Sequence, residues 1–379
     1  MMGWLLRSRI RIFAAGALAS LFSAVLVLAL VASSGVYNIA ASAGHWRIVE
    51  AFLRFGMIQS VQVRALTVPP PPPLDNTDLI ALGAGHFHGG CAYCHGAPGI
   101  AINPIAENML PPPPELSHAA KEWKDRELFW IVKHGIKYTG MPSWVSQQRD
   151  DEVWAVVAFL KQLPGLDANG YRDLALGGLQ VPQQSGREIA LTEGASEAVS
   201  ACARCHGAGN SRPRSNLVPM LHGQTAEFIV AALETYAKGK RESGVMQPVA
   251  LDLSGEAAKR VARYYAQSVA PRTIAPSADR ASIERGRVLA AEGDGAGKIP
   301  ACGSCHGDNA LSLYPRLAGQ NAAYMINRLR LWKQGLRSET DADAIMAPIA
   351  RALDEQQIND VSAYFAAQSP SRARPARAQ

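Results

Sequence analysis

The 379-residue chain contains no Gly-x-Gly-x-x-Gly fingerprint, no P-loop and no His-Glu-x-x-His. Nothing in it therefore points to a flavin, nucleotide or zinc catalytic domain. Strand signals are sparse and Gly and Pro are concentrated between helix-like stretches, so a large sheet is excluded and a mostly helical fold is expected. Cysteine is scarce as well. There are six, all fall within three short motifs, and no thiol is left over for a structural disulfide.

Those motifs are Cys91-Ala-Tyr-Cys94-His95, Cys202-Ala-Arg-Cys205-His206 and Cys302-Gly-Ser-Cys305-His306. Two thiols three residues apart on an incipient helical turn can each bond one vinyl arm of the same porphyrin, and the next residue then faces the iron. The spacing predicts three covalently attached haem c groups, bound through Cys91, Cys94, Cys202, Cys205, Cys302 and Cys305, with His95, His206 and His306 as proximal ligands. A redox dithiol has no obligatory His, and zinc-ribbon pairing would leave three motifs unbalanced. Thioether assembly in bacteria takes place outside the cytoplasm, so the motifs imply export.

The amino terminus supplies a route. Arg7, Arg9 and Arg11 precede a twenty-residue uncharged apolar run, Ile12 to Val31, long enough to cross a hydrocarbon core as a helix with the arginines left in the cytoplasm. A cleavable signal peptide is the alternative, although its apolar region is usually only about 7 to 15 residues long. Residues 1–35 are read as an inner-membrane anchor. Residues 36–75 follow, with an amphipathic helix from Tyr37 to Leu66 that either lies on the membrane interface or packs on the first domain. Pro69 to Pro73 then form a polyproline stalk expected to hold the remainder away from the bilayer.

Three compact units are expected beyond the stalk, at 76–168, 169–270 and 271–379, one per Cys-x-x-Cys-His motif. The second and third look duplicated. Gly186-Arg187 and Gly286-Arg287 open a helix sixteen residues before Cys202 and Cys302, and Pro219 to Gln224 corresponds to Pro315 to Gln320. Each unit closes on an aromatic-rich helix: Asp150, Ser254 and Asp354 are the expected caps, and Asp354 with Gln357 makes a capping box.

A sixth iron ligand must lie downstream of each histidine. Met141 is 46 residues past His95, while Met246 and Met346 are each 40 residues past His206 and His306, and all three stand one or two residues before a proline. A neutral thioether on a proline-stiffened loop favours ferrous iron and raises the potential. Met220, His222 and His134 are the rivals. Ala318 replaces His222 in the third unit, which argues against a shared role. His86, His88 and His118 are expected at the surface or beside haem propionates, and His45 as an interfacial or capping residue.

With these motifs the chain resembles the class I c-type cytochromes from about Asp78 to its C terminus. The last two units look like the bacterial periplasmic diheme cytochromes, and the first like single-haem domains with a Gly-Met-Pro-x-Trp loop. The resemblance implies an all-α protein of three tandem cytochrome c domains, which here stand behind the transmembrane helix read from the apolar run; that helix and the stalk fall outside the family pattern. The resemblance also implies that the carbonyls of Pro219 and Pro315 accept the proximal imidazole N–H. With both axial positions filled, single-electron relay is implied, not catalysis.

The first expectation is a membrane-anchored periplasmic carrier that passes electrons from a quinol-oxidising complex to a terminal oxidase. The second is the cytochrome subunit of a periplasmic dehydrogenase whose partner holds a flavin, molybdenum or quinone cofactor. The third is an enzyme with one open haem. The formal charge of +6 gives a basic surface for acidic redox partners, from Arg212, Arg214, Lys238, Lys240 and Arg241 and from Arg328, Arg330, Lys333 and Arg337, while Arg372, Arg374 and Arg377 are a frayed tail. Nucleic acid is not an expected partner of a periplasmic protein.

Overall fold

A computed structural model describes residues 2–177, 195–253, 255–271, 279–307, 311–335 and 340–370. Among them there is no strand, only one isolated bridge between Ala97 and Ile100. The protein is all-helical. Ser254, Gly186-Arg187, Arg337 and the arginines of the tail lie outside the described residues.

Helix α1 (Met2–Ser34) carries an apolar stretch, Arg11–Ser34, of mean hydropathy 2.4 that the rest of the chain leaves uncovered. Its 24 residues span about 36 Å, more than the roughly 30 Å hydrocarbon core of a bilayer. Helix α2 (Arg47–Ala65) starts ten residues later than expected. Before it the Asn38 side chain accepts the Ala40 N–H in a local turn, and the Tyr37 hydroxyl meets His45 Nδ1 at 2.6 Å, contacts that compete with helix. Its two faces divide the expected roles. Val61 and Ala65 are buried, whereas Ile48, Phe52 and Phe55 are exposed.

The proline run does not stand free. Val68 and Leu74, on either side of it, both pack into one cluster with Leu128, Phe129 and Trp154 of the first unit. Burying two aliphatic side chains contributes about 1.5–3 kcal/mol each, which fastens the segment along the domain instead of holding it away.

The first unit contains α3 (Thr77–Gly90), α4 (Asp125–His134), α5 (Asp150–Gln162) and α6 (Ala168–Leu176). Its core extends past residue 168 to take in Tyr171, Ala175 and Leu176. The second contains α7 (Ala195–His206), α8 (Ala226–Ala237), α9 (Met246–Asp252) and α10 (Gly255–Gln267). The third contains α11 (Arg280–Glu292), α12 (Ala322–Lys333), α13 (Asp341–Ala352) and α14 (Glu355–Ala367). The second and third units each bury their own apolar cluster as well.

In the first and third units the opening helix crosses the closing one at a glycine. A Cβ on Gly83 would lie 1.8 Å from the Ala155 carbonyl oxygen, and one on Gly286 would lie 2.0 Å from that of Asp360. Only a residue without a side chain permits this approach of backbones. The Asp354–Gln357 capping box is present at the start of α14. Asp150, by contrast, is the first helical residue of α5, and Arg149 occupies the cap.

Candidate functional site

Each Cys-x-x-Cys-His motif ends a helical turn, Ala92–His95, the end of α7, and Gly303–His306. In all three the histidine Nδ1–H donates to a proline carbonyl, from His95 to Pro114 at 2.9 Å, His206 to Pro219 at 2.8 Å and His306 to Pro315 at 2.8 Å. A carbonyl only accepts, so the proton sits on Nδ1 and the Nε2 lone pair is free for a metal. Burial pulls each imidazole below its usual pKa, against the opposing hydrogen bond, which keeps it neutral. Pro114 had not been singled out in the sequence; its signal is the four-proline run Pro111 to Pro114.

The described cysteines form no disulfide. Burial pushes the Cys91 and Cys202 thiols up to about 12 and raises Cys302 too. Thiols in such surroundings are poor redox nucleophiles.

One continuous cavity of about 2610 Å³ is lined by all six cysteines, the three motif histidines, and Met141, Met246 and Met346. That exceeds the roughly 300–1,000 Å³ of an ordinary small-molecule pocket. Met141 stands on a loop as expected. Met246 and Met346 do not: one is the first residue of α9 and the other lies inside α13. Pro248 falls in the first turn of α9, where no intrahelical N–H is needed, and α13 is nucleated upstream by the Thr340–Asp343 capping box.

Among the rivals, Met220 is buried and lines the cavity, and so does His134, whose ring lies 5.1 Å from that of Trp130. His222 does not line it and packs edge-on to Tyr265. Met109 was missed: it lines the cavity, and its sulfur lies so close to Gly140 that a Cβ there would meet it at 2.6 Å.

Two surface expectations need correction. His86 is buried against Trp144, and desolvation lowers its pKa to about 3, helped by the Arg149 charge. His88 meets the Tyr171 hydroxyl at 2.9 Å, while His118 is exposed. Much of the basic surface is also internal. Arg328 is buried, Arg241 stacks over Tyr236, and Arg212 bonds Asn321 at 2.9 Å. Among the described residues the Nε atoms of Arg204, Arg241 and Arg328 have no hydrogen-bond partner, and all three residues line the cavity. Buried cations with unmet donors fit the carboxylates of a porphyrin.

The family model for cytochrome c oxidase, cbb3-type, subunit III matches residues 78–160 and 190–264, and that for cytochrome c matches 283–369. A thiosulfate dehydrogenase electron acceptor from Stutzerimonas stutzeri (strain A1501) is 34% identical over 191 residues, 50% of this chain and 88% of the relative. The chain is a c-type cytochrome. A cytochrome c4 from Thiocapsa roseopersicina is 34% identical over 181 residues, 45% of this chain and 89% of that protein. A solved reduced recombinant cytochrome c4 from Pseudomonas stutzeri is similar at 26% identity and a TM-score of 0.41, covering 47% of this chain and 100% of that one. As a c-type cytochrome the protein binds haem c covalently and transfers electrons; it is a carrier and not an enzyme.

Proposed function

We propose that this cytochrome carries three haem c groups, tethered to the inner membrane by α1 with the haem domains in the periplasm, and relays single electrons between partner proteins. The observation that carries the reading is the threefold recurrence of one arrangement, a histidine oriented by a proline carbonyl with a methionine on the same cavity. His95 with Met141, His206 with Met246 and His306 with Met346 would hold the three irons. The haem supplies the one-electron chemistry. The protein's proline carbonyls orient each imidazole, apolar cavity side chains would surround the porphyrin, and Arg204, Arg241 and Arg328 would meet its carboxylates.

Acid-acetone extraction should leave three haems per chain on the polypeptide. Met141→Ala, Met246→Ala and Met346→Ala should each remove one third of the Met-to-iron charge-transfer absorbance, and the reduced protein should not bind carbon monoxide. Fewer than three haems, or an undiminished band in any one variant, overturns the corresponding assignment.

The donor reading follows the relatives. A quinol-oxidising complex feeding a terminal oxidase was the first expectation; similarity to a thiosulfate dehydrogenase electron acceptor favours a periplasmic dehydrogenase as donor instead. Co-purification of such an enzyme from membranes supports the second, and reduction by quinol-oxidising membranes alone supports the first.

A further inference from the structure

Glu152 lies in the first turn of α5 in the first unit and is 3% exposed. Its carboxylate accepts three hydrogen bonds and pairs with one guanidinium. Within its own unit, Trp144 Nε1 donates to Oε2 at 3.1 Å, and an Arg149 guanidinium nitrogen lies 2.9 Å from Oε1. From the second unit, Ser243 Oγ donates to Oε1 at 2.6 Å and the Gly244 N–H to Oε2 at 2.7 Å. Every partner is a donor, the arrangement that suits a carboxylate acceptor.

Both ends of this bridge lead to a methionine. Trp144 closes the loop Gly140-Met141-Pro142-Ser143-Trp144. Ser243 Oγ, fixed by Glu152, accepts the N–H groups of Val245 at 3.3 Å and Met246 at 3.1 Å, and so caps the turn on which Met246 stands. The indole also presses directly on the second turn: a Cβ on Gly244 would lie 2.2 Å from Trp144 Nε1. The two methionine-bearing segments are thus in contact through Trp144 and Gly244 and share one buried carboxyl group.

We propose that Glu152 is a positioning residue common to two iron sites, holding Met141 of the first unit and Met246 of the second in register so that the two potentials are coupled. This deepens the ligand assignment above and rests on it. Loss of the anchor loosens both thioether contacts at once, because neither turn has another buried carboxylate accepting from it among the described bonds. The third iron site, with Met346 on α13, has no such bond to Glu152 and serves as an internal reference.

The test is a spectroelectrochemical titration of the haem-loaded full chain, with Met141→Ala and Met246→Ala first used to assign two of the charge-transfer bands. If those variants remove no band, the ligand reading fails, whatever Glu152 does. With the bands assigned, Glu152→Gln should weaken the first and second and leave the third intact. Trp144→Phe keeps the ring and all charges and serves if Glu152→Gln does not fold. It should lower both potentials together, changing the reduced-to-oxidised ratio of both haems at fixed ambient potential by about tenfold, as expected for one lost hydrogen bond to a charged group. A change at only one of the two sites, an equal change at all three, or no change overturns the proposal.

Discussion

Gln320 of the third unit grips Met220 of the second by both sides of its backbone: its Oε1 accepts the Met220 N–H at 2.8 Å and its Nε2 donates to the Met220 carbonyl at 3.0 Å. The reciprocal pair exists. Gln224 accepts the Arg316 N–H at 2.9 Å and donates to the Arg316 carbonyl at 2.8 Å. Gln224 and Gln320, like Met220 and Arg316, are corresponding positions of the duplicated segments, so the interface has the form of a local twofold. Each gripped residue directly follows the proline whose carbonyl orients a motif histidine.

Replacing Gln320 by Ala leaves a buried N–H and C=O without partners. We expect a loss of about 1–3 kcal/mol, read as earlier thermal unfolding of the second and third units with the first unaffected. Gln224→Ala should cost less, since its bonds are only partly buried. Equal, negligible effects of both changes would show that the clamp contributes nothing.

Gly286→Ala places a methyl group against the Asp360 carbonyl where α11 crosses α14, and Gly83→Ala does the same at α3 and α5. Each should destabilise its own unit by about 1–3 kcal/mol or more, because backbone must move to make room. Denaturant titration followed at the haem bands would detect it. A midpoint within error of the parent protein would contradict the close crossing.

Asp360 gives the acid dependence a sign. Burial works against its carboxylate, but Arg285 at 2.7 and 2.8 Å and the Ser282 hydroxyl at 2.5 Å prevail and hold its pKa below the ordinary 3.8. The unfolded chain therefore takes up the proton first as pH falls. Stability from this group is complete above the unfolded pKa and is lost as the pH drops through the folded one. Asp360→Asn should flatten the acid limb of the third unit's unfolding profile while leaving that of the first unit unchanged.

The exposed Phe52 and Phe55 on α2 predict residual membrane affinity without the anchor. A chain lacking residues 1–34 should still bind anionic vesicles weakly, and Phe52→Ser with Phe55→Ser should abolish that binding, since each buried phenyl is worth about 1.5–3 kcal/mol. Flotation assays decide between them.

The Cys-x-x-Cys-His motifs, the candidate axial histidines and methionines, and the all-helical character were legible because each depends on residues within a turn or on short repeating patterns. Cys-x-x-Cys-His states its chemistry through covalent spacing alone, and the correspondence of Pro219 with Pro315 follows from duplication. The helical setting of Met246 and Met346 was less visible, since a nearby proline reads as a loop, although Pro248 falls in a tolerant first turn and Pro348 sits inside α13.

What the sequence by itself determined is the haem-attachment motifs and the candidate axial residues, because thioether spacing and axial ligation are local chemistry. Only the tertiary structure decided that Glu152 serves two units, that Gln224 and Gln320 clamp across the duplicated pair, and that Arg241 and Arg328 turn inward. Those contacts join residues about ninety to a hundred positions apart. No periodicity or motif links such positions; burial selects them, since a carboxylate, amide or guanidinium removed from water requires a partner wherever the packing of helices brings one.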